Sequence, residues 1–324
     1  MEESNPNFQL GDHPLPEYNS EVVDGFVFVN LDSTAAPLAP QLGDLTPRLA
    51  SWEPELAEPY LAIEYECDFN WKIVVETFME CYHHLGAHAT SFEPSFPAKM
   101  SWTEESRSAW TLGHAAVKPG KETSAFELGL PFFPKLDSNL PTDCAHRHSR
   151  TRTQLVPTVV TLSLARSQCP ILTLCRIDEA TPTPRAADAT EPMIAFTLHV
   201  ARAPTIAAPV ETQAFALYNV FPTHLMHAMP DRLLWFKLQP VSAEKTIVTT
   251  YALVHPNTLE MDDFESVRED QKVIMDQINK EDIAVNTMQQ IGARSGKIKP
   301  GRLNAKLEKA LWQLNSWVAA KLTR

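Results

Sequence analysis

Four side chains able to hold a metal or carry a proton fall within nine residues: Glu80, His83, His84 and His88. Neutral imidazoles are common ligands for divalent transition metals. Two of them with a carboxylate hold iron(II) on one face and leave positions open. Glu80 and His83 stand three apart, so on a helix they share a face and can hydrogen-bond or approach one centre. His83 and His88 are separated by about 140° on a helix of about 3.6 residues per turn. They converge on one ion only if the helix kinks or ends between them, and Gly86 in that gap is the expected place for the distortion. On spacing alone, such a stretch is more often a polar helix facing solvent, and a distant carboxylate must complete any metal set.

The elements that would position these groups are legible in outline. Lys72 to Tyr82 has no Gly or Pro, and the spacing of Ile73, Val74, Phe78 and Tyr82 predicts a buried or half-buried helix. Leu61 to Phe69 before it alternates as a half-buried strand does, and Phe92, Pro94, Phe96 and Pro97 after it predict a loop covering the site. The β-branched and aromatic run Glu21 to Leu31 predicts one strand, and Ser101 to Gly113 with its tryptophans a strand pair. Further strands are expected at Val156 to Leu164, Leu233 to Leu238 and Thr246 to Val254. Asp262 to Gln290 has a helical pattern with Phe264, Val267, Ile274, Ile278, Ile283 and Val285. Arg302 to Leu322 reads as an amphipathic helix striped by Leu303, Leu307, Leu311, Leu314, Trp317, Val318 and Leu322. His114, His227 and His255 are expected to be structural or on the surface.

Asn70-Trp71-Lys72, followed by Glu76, Phe78, Glu80, Cys81, Tyr82, His83 and His88, resembles the iron-site motif of Rieske-type non-haem iron oxygenases, at the start of the catalytic domain of the α subunit. The resemblance implies that His83 and His88 are iron ligands. It places Glu80 where the family has an acidic residue linking the iron site to a cluster-ligating histidine of a neighbouring subunit. The family's third ligand is an Asp on a late helix, followed seven residues on by Gln, and Asp282 with Gln289 fits that pattern. Gly292 to Ser295 and Lys299 to Leu303 also resemble the family's tail. The implied fold is α+β, a helix-grip arrangement of a curved antiparallel sheet on long helices. The implied chemistry is O2-dependent hydroxylation of an aromatic or other small organic substrate at mononuclear iron(II). Electrons would come from NAD(P)H through a reductase, a ferredoxin in some systems, and a Rieske 2Fe-2S cluster, in a homotrimer. Phe221, His224, Met226 and Trp235 are candidate pocket residues by the same resemblance, although Phe221, Met226 and Trp235 taken singly read as plain core. Thr77 stands where the family often has Asn, His84 where it often has Cys, and Ala89 where it often has Pro. Glu at position 80 resembles the subgroup that includes oxygenases of quaternary ammonium compounds.

Composition sets the outer limits. Lys and Arg total 28 against 40 Asp and Glu, a net charge of −12, which argues against nucleic-acid binding. No apolar run approaches the roughly 18 residues of a membrane span. The acidic N-terminus is not expected to be a signal peptide, and five cysteines without a spaced framework suit a reducing cytoplasm. Residues 1–45 are expected to be a strand and connector remaining from a Rieske-to-catalytic junction. Residues 46–324 form the expected catalytic domain, with an atypical Pro-, Ala- and Thr-rich segment at 165–210. A Rieske cluster needs a Cys-x-His and a Cys-x-x-His pair. No cysteine precedes Asn30, and Cys144-Ala145-His146 is a lone Cys-x-His read as chance, so no cluster ligands are expected in this sequence. The helix-grip fold also serves non-catalytic ligand-binding proteins, which is the alternative to an enzyme.

Overall fold

The computed structural model describes residues 15, 17–104, 106, 108–119, 121, 130–131, 133–136, 171–174, 214–297 and 301–323. Cys144-Ala145-His146, the strand expected at Val156 to Leu164, and the 165–210 segment apart from 171–174 lie outside the described residues. A hairpin replaces the single strand expected over Glu21 to Leu31. Strand β1 (Asn19–Val23) turns into β2 (Phe26–Asn30) through Asp24 and Gly25, whose φ angles are 52° and 83°. Two successive positive φ values give the primed turn whose twist matches its strands, and Asp-Gly suits it. A Cβ on Gly25 would lie 2.9 Å from Glu55 Cα, so the close approach also requires glycine.

Helices α1 (Ala39–Leu42) and α2 (Leu45–Leu49) follow, then β3 (Glu58–Cys67), α3 (Trp71–Phe78), α4 (His84–Ala87), β4 (Ser101–Thr103) and β5 (Trp110–Ala116). After β6 (Ile171–Leu174) come β7 (Ala214–Val220), β8 (His224–Ala228), β9 (Leu233–Ser242), β10 (Lys245–Val254), α5 (Phe264–Arg294) and α6 (Lys309–Leu322). Strands β1, β2 and β6 make a small sheet, and an antiparallel sheet of seven strands runs β3-β10-β9-β8-β7-β5-β4. This is the α+β, helix-grip-like architecture expected, with α5 lying against β3 and contacting α3 and α4.

Alternation along the central strands sorts the core into two layers. Trp110, Leu112, Tyr218, Val220, Met226, Trp235 and Leu253 point to one face and pack with Phe26 and Phe28 of the hairpin, Leu42 and Leu45 of the short helices, and Trp52. Phe215, Leu217, Leu225, Leu234, Phe236 and Val248 point to the other, where Phe69, Val75 and Phe78 lie. Helix α5 meets this second face with an unusual stripe. Its buried residues are Val267, Gln271, Met275, Asn279, Asn286 and Gln290, whereas Ile274 is 43% exposed. Buried amides need partners. Asn279 Oδ1 accepts from Thr250 Oγ1, Asn286 Oδ1 from Thr77 Oγ1, and Gln290 Oε1 from Asn70 N–H. Of the apolar stripe expected along α5, Val267 is buried and Phe264 and Ile283 pack against the core, while amides between them cross-link the helix to α3 and the sheet. The last helix starts at Lys309 rather than Arg302, leaving Leu303 and Leu307 exposed in the chain before it; along it Leu311 and Leu314 are buried and Leu322 is exposed.

Candidate metal centre

Asn70 caps α3: its side-chain oxygen accepts from Lys72 N–H at 3.0 Å, and its amide nitrogen donates to Ala243 carbonyl. The cap fixes where the helix starts, and its end decides where the histidines go. The helix stops at Phe78, with Met79 as its C-cap. His83 N-caps α4 and His88 is its C-cap, so the two histidines flank a single helical turn. The distortion expected at Gly86 is therefore elsewhere. Gly86 lies inside α4 with open space around it, and the chain breaks before His83 and turns off at His88, where φ is −115°. The reason is local: Glu80 Oε2 accepts His83 N–H at 3.1 Å, diverting the backbone from the α3 ladder.

The three expected ligands converge. One nitrogen or oxygen from each of His83, His88 and Asp282 falls within 4.8 Å of the others. Asp282 Oδ1 lies 3.0 Å from His88 Nε2 and 3.5 Å from His83 Nε2. Behind each imidazole stands a carboxylate. His83 Nδ1–H donates to Glu80 Oε1 at 2.8 Å, and His88 Nδ1–H donates to Glu281 Oε2 at 2.7 Å. Both Nδ1 atoms are thereby committed to carboxylates and each Nε2 is turned toward Asp282, the arrangement found behind most metal-bound histidines. Burial would lower the His88 pKa, but Asp282 and Glu281 outweigh it and hold it above the ordinary range. Burial likewise opposes ionisation of Glu281, yet bonds from Ser91, His88 and Gln277 hold its carboxyl below the usual range. Two nitrogens and a carboxylate oxygen in one cluster fit a divalent transition metal, and the donor set suits iron(II). His84 turns away: its Nδ1–H donates to the Phe96 carbonyl at 3.2 Å, and burial, with His83 adding to it, pushes its pKa down to about 3.

These groups open onto a cavity of about 560 Å³ between the sheet and α5. Phe78, Phe92, Phe96, Phe215, Phe236 and His227 form its aromatic wall, with His227 stacked on Phe78 at 4.7 Å between ring centroids. His227, expected on the surface, faces this cavity, and burial pushes its pKa down to about 3. The expected pocket residues Phe221, His224, Met226 and Trp235 do not line it. His224, Met226 and Trp235 point to the opposite face of the sheet, where Trp235 Nε1–H donates to His224 Nδ1 at 3.2 Å. Phe221 packs against Trp317 of α6. For His224, Met226 and Trp235 the cause is strand parity, since a shift of one residue moves a side chain to the other face. Of the other histidines, His114 stacks on Trp102 and bonds Glu104, and His255 caps a short turn at Asn257. Sequence reading missed Glu281, Asn286 and Arg232, although the acidic pair Glu281-Asp282 offered a signal for the first.

Comparison with known proteins gives these features a context. Residues 55–324 match the family described as the ring hydroxylating alpha subunit, catalytic domain. The carnitine monooxygenase oxygenase subunit of Escherichia coli (strain K12) is 31% identical over 125 residues, 38% of this chain and 33% of that subunit. The glycine betaine monooxygenase oxygenase subunit of Pseudomonas aeruginosa (strain UCBPP-PA14) is 22% identical over 320 residues, 99% of this chain and 64% of that subunit. A solved quaternary ammonium Rieske monooxygenase, described for carnitine oxidation and inter-subunit electron transfer, superposes with a TM-score of 0.61 at 17% identity, over 98% of this chain and 66% of that one. The chain therefore spans less than two thirds of the length of these relatives. Among the described residues, no helix is long and apolar enough to cross a membrane.

Proposed function

The chain belongs to the ring-hydroxylating alpha subunit family, the catalytic part of Rieske-type oxygenases and hence of an oxidoreductase family, and on that premise we propose that it hydroxylates a small organic substrate at iron(II) held by His83, His88 and Asp282. The observation that carries the reading is the meeting of two carboxylate-anchored imidazoles and a third carboxylate at the wall of a 560 Å³ cavity. When bound there, iron(II) supplies O2 activation at positions that the three protein ligands leave open.

The chain's own residues do the rest. Glu80 and Glu281 keep a proton on each Nδ1 and so keep each Nε2 free for the metal. Glu80 is only 7% exposed, and it is also the proposed relay toward a Rieske cluster supplied with electrons by a reductase or ferredoxin, in a trimeric assembly. Thr77 holds the amide of Asn286 at the cavity wall, which returns an Asn side chain to the surroundings of the centre from α5. The aromatic wall excludes water and offers ring faces to a cationic headgroup. With relatives named for carnitine and glycine betaine, that wall favours a quaternary ammonium substrate over a plain aromatic hydrocarbon. Anaerobic iron(II) should raise the melting temperature of the parent, because a ligand that binds only the folded state stabilises it. His88→Ala should show no such rise. An equal rise in both proteins contradicts the ligand assignment.

A further inference from the structure

The same cavity is bordered by a buried arginine. Arg232 is 6% exposed and lines the cavity together with His83 and Asp282. Its position is set by the β8–β9 turn, where Met229 N–H donates to the Arg232 carbonyl at 2.9 Å. Asp231 Oδ2 accepts from Arg232 Nη1 at 2.6 Å, and this is the guanidinium's one hydrogen bond among the described residues. Nε is buried without a partner. A guanidinium carries five N–H donors, and leaving them unmet away from water is costly. Asp231 does not use its own capacity either. Its Oδ1 has no partner, and burial outweighs the pull of Arg232 and holds its carboxyl above the ordinary range.

Two further polar groups belong to this corner. Gln271 lines the cavity and its Oε1 is buried without a partner. One turn to either side of it on α5, Val267 and Met275 pack in clusters that both include Tyr60, the second also holding Met229 and Leu234. The Tyr60 hydroxyl is buried without a partner, within electrostatic reach of Arg232 and Asp231. Of these residues Arg232 and Gln271 line the cavity, and the guanidinium, with one hydrogen bond for its five N–H donors, is the group there that an acceptor on a ligand would satisfy.

We infer that Arg232 anchors a carboxylate of the substrate, while the carbon to be oxidised lies at the His83, His88 and Asp282 end. The inference rests on reading that end as the oxygenase centre. A carboxylate offers oxygens to match the fork of free N–H groups, the strong form of hydrogen bond for both partners. Along α5, Gln271 and Asp282 are roughly 16 Å apart at the helical rise per residue. Allowing for the reach of the arginine side chain, an elongated substrate fits, anionic at one end and presenting the reacting carbon at the other. Arg232 is thus a residue that selects small acids over neutral or purely cationic amines of the same size.

Isothermal titration tests this with four probes: carnitine, glycine betaine and the carboxamide of each, which keeps the shape and loses the anion. The parent protein, with iron content measured in parallel, should bind at least one of the acids about 10-fold or more tightly than its amide. Arg232→Gln should lose that preference, and Arg232→Lys should keep part of it, with melting curves confirming that both remain folded. The acid-against-amide comparison in the parent needs no variant, so it stands even if Arg232→Gln fails to fold. Equal affinity for acid and amide, no binding of either acid, or a preference that survives Arg232→Gln overturns the anchor. Iron content separates the two claims: a parent that holds iron without the preference loses only the anchor. A parent with the preference but no iron loses the oxygenase reading, and with it the claim that the anion belongs to a substrate.

Discussion

The two faces of the seven-stranded sheet are built from the same strands and do opposite work. On one face, Trp110, Tyr218, Met226 and Trp235 interlock with the hairpin and short helices and enclose His224, whose ring accepts from Trp235 and touches Phe26 at 4.6 Å. On the other face, alternate residues of those strands, among them Phe215, His227 and Phe236, stop short of α5 and leave a cavity. His224 and His227 lie in one five-residue strand, yet one is packing and the other is wall. The carboxylates divide in the same way. Asp24, on the packed side, is pushed up to about 6 chiefly by burial, whereas Glu281, on the cavity side, is drawn down by the imidazole and hydroxyl it serves. Asp24 has one hydroxyl partner, Thr46, which does not offset its burial, whereas half-buried Glu281 is held by three donors.

The contrast can be broken at its strongest point first. Trp235→Ala should cost about 3–5 kcal/mol of stability in urea unfolding, the range for a large aromatic removed from a closed core, and should leave iron binding by the folded fraction intact. The neighbouring pair Met226 and His227 sharpens it. Met226→Ala should cost about 2–4 kcal/mol and His227→Ala about 1, because only the first leaves a void in a filled layer. Only His227→Ala should alter the binding of probe ligands measured by titration.

Asp24→Asn addresses the carboxylates. Because the folded-state pKa of about 6 lies above the ordinary 3.8, the folded protein binds the proton more tightly, and stability falls as pH rises between those values. The variant should therefore gain on the order of 1–2 kcal/mol at pH 8 relative to its gain at pH 4, after allowing for partial exposure. A gain independent of pH would show that only the turn conformation had changed. The smallest effect is expected at Gly86, which lies in ordinary helical backbone with open space around it. Gly86→Ala should be neutral or stabilise by about 0.5–1 kcal/mol without loss of iron.

The sequence carried the convergence of the three proposed ligands further than it carried the cavity. His83, His88 and Asp282 were legible because the motif names them individually, and the fold brings them together across some 200 residues of chain. The location of the helix break was not legible, because it depends on Glu80 accepting the His83 N–H, a contact that competes with the helix and leaves no composition signal. His224, Met226 and Trp235 were one position out of register, because a strand buried on both faces shows no alternation of polarity from which parity can be read. Buried amides hid the true stripe of α5 for a related reason: Gln271, Asn279 and Asn286 look solvent-facing until Thr250 and Thr77 supply partners for the last two. The Asp24-Gly25 turn was readable from its dipeptide but was absorbed into one long strand by the apolar residues around it.

The most direct test is iron bound per folded chain after anaerobic reconstitution, measured side by side in the parent, His83→Ala, Asp282→Ala and His224→Ala. Binding at a folded site of three protein ligands predicts about one iron per chain in the parent and in His224→Ala, and none in the other two. A parent without stoichiometric iron, or iron retained after loss of both His83 and Asp282 in turn, would contradict the assignment of the metal centre to the cavity face.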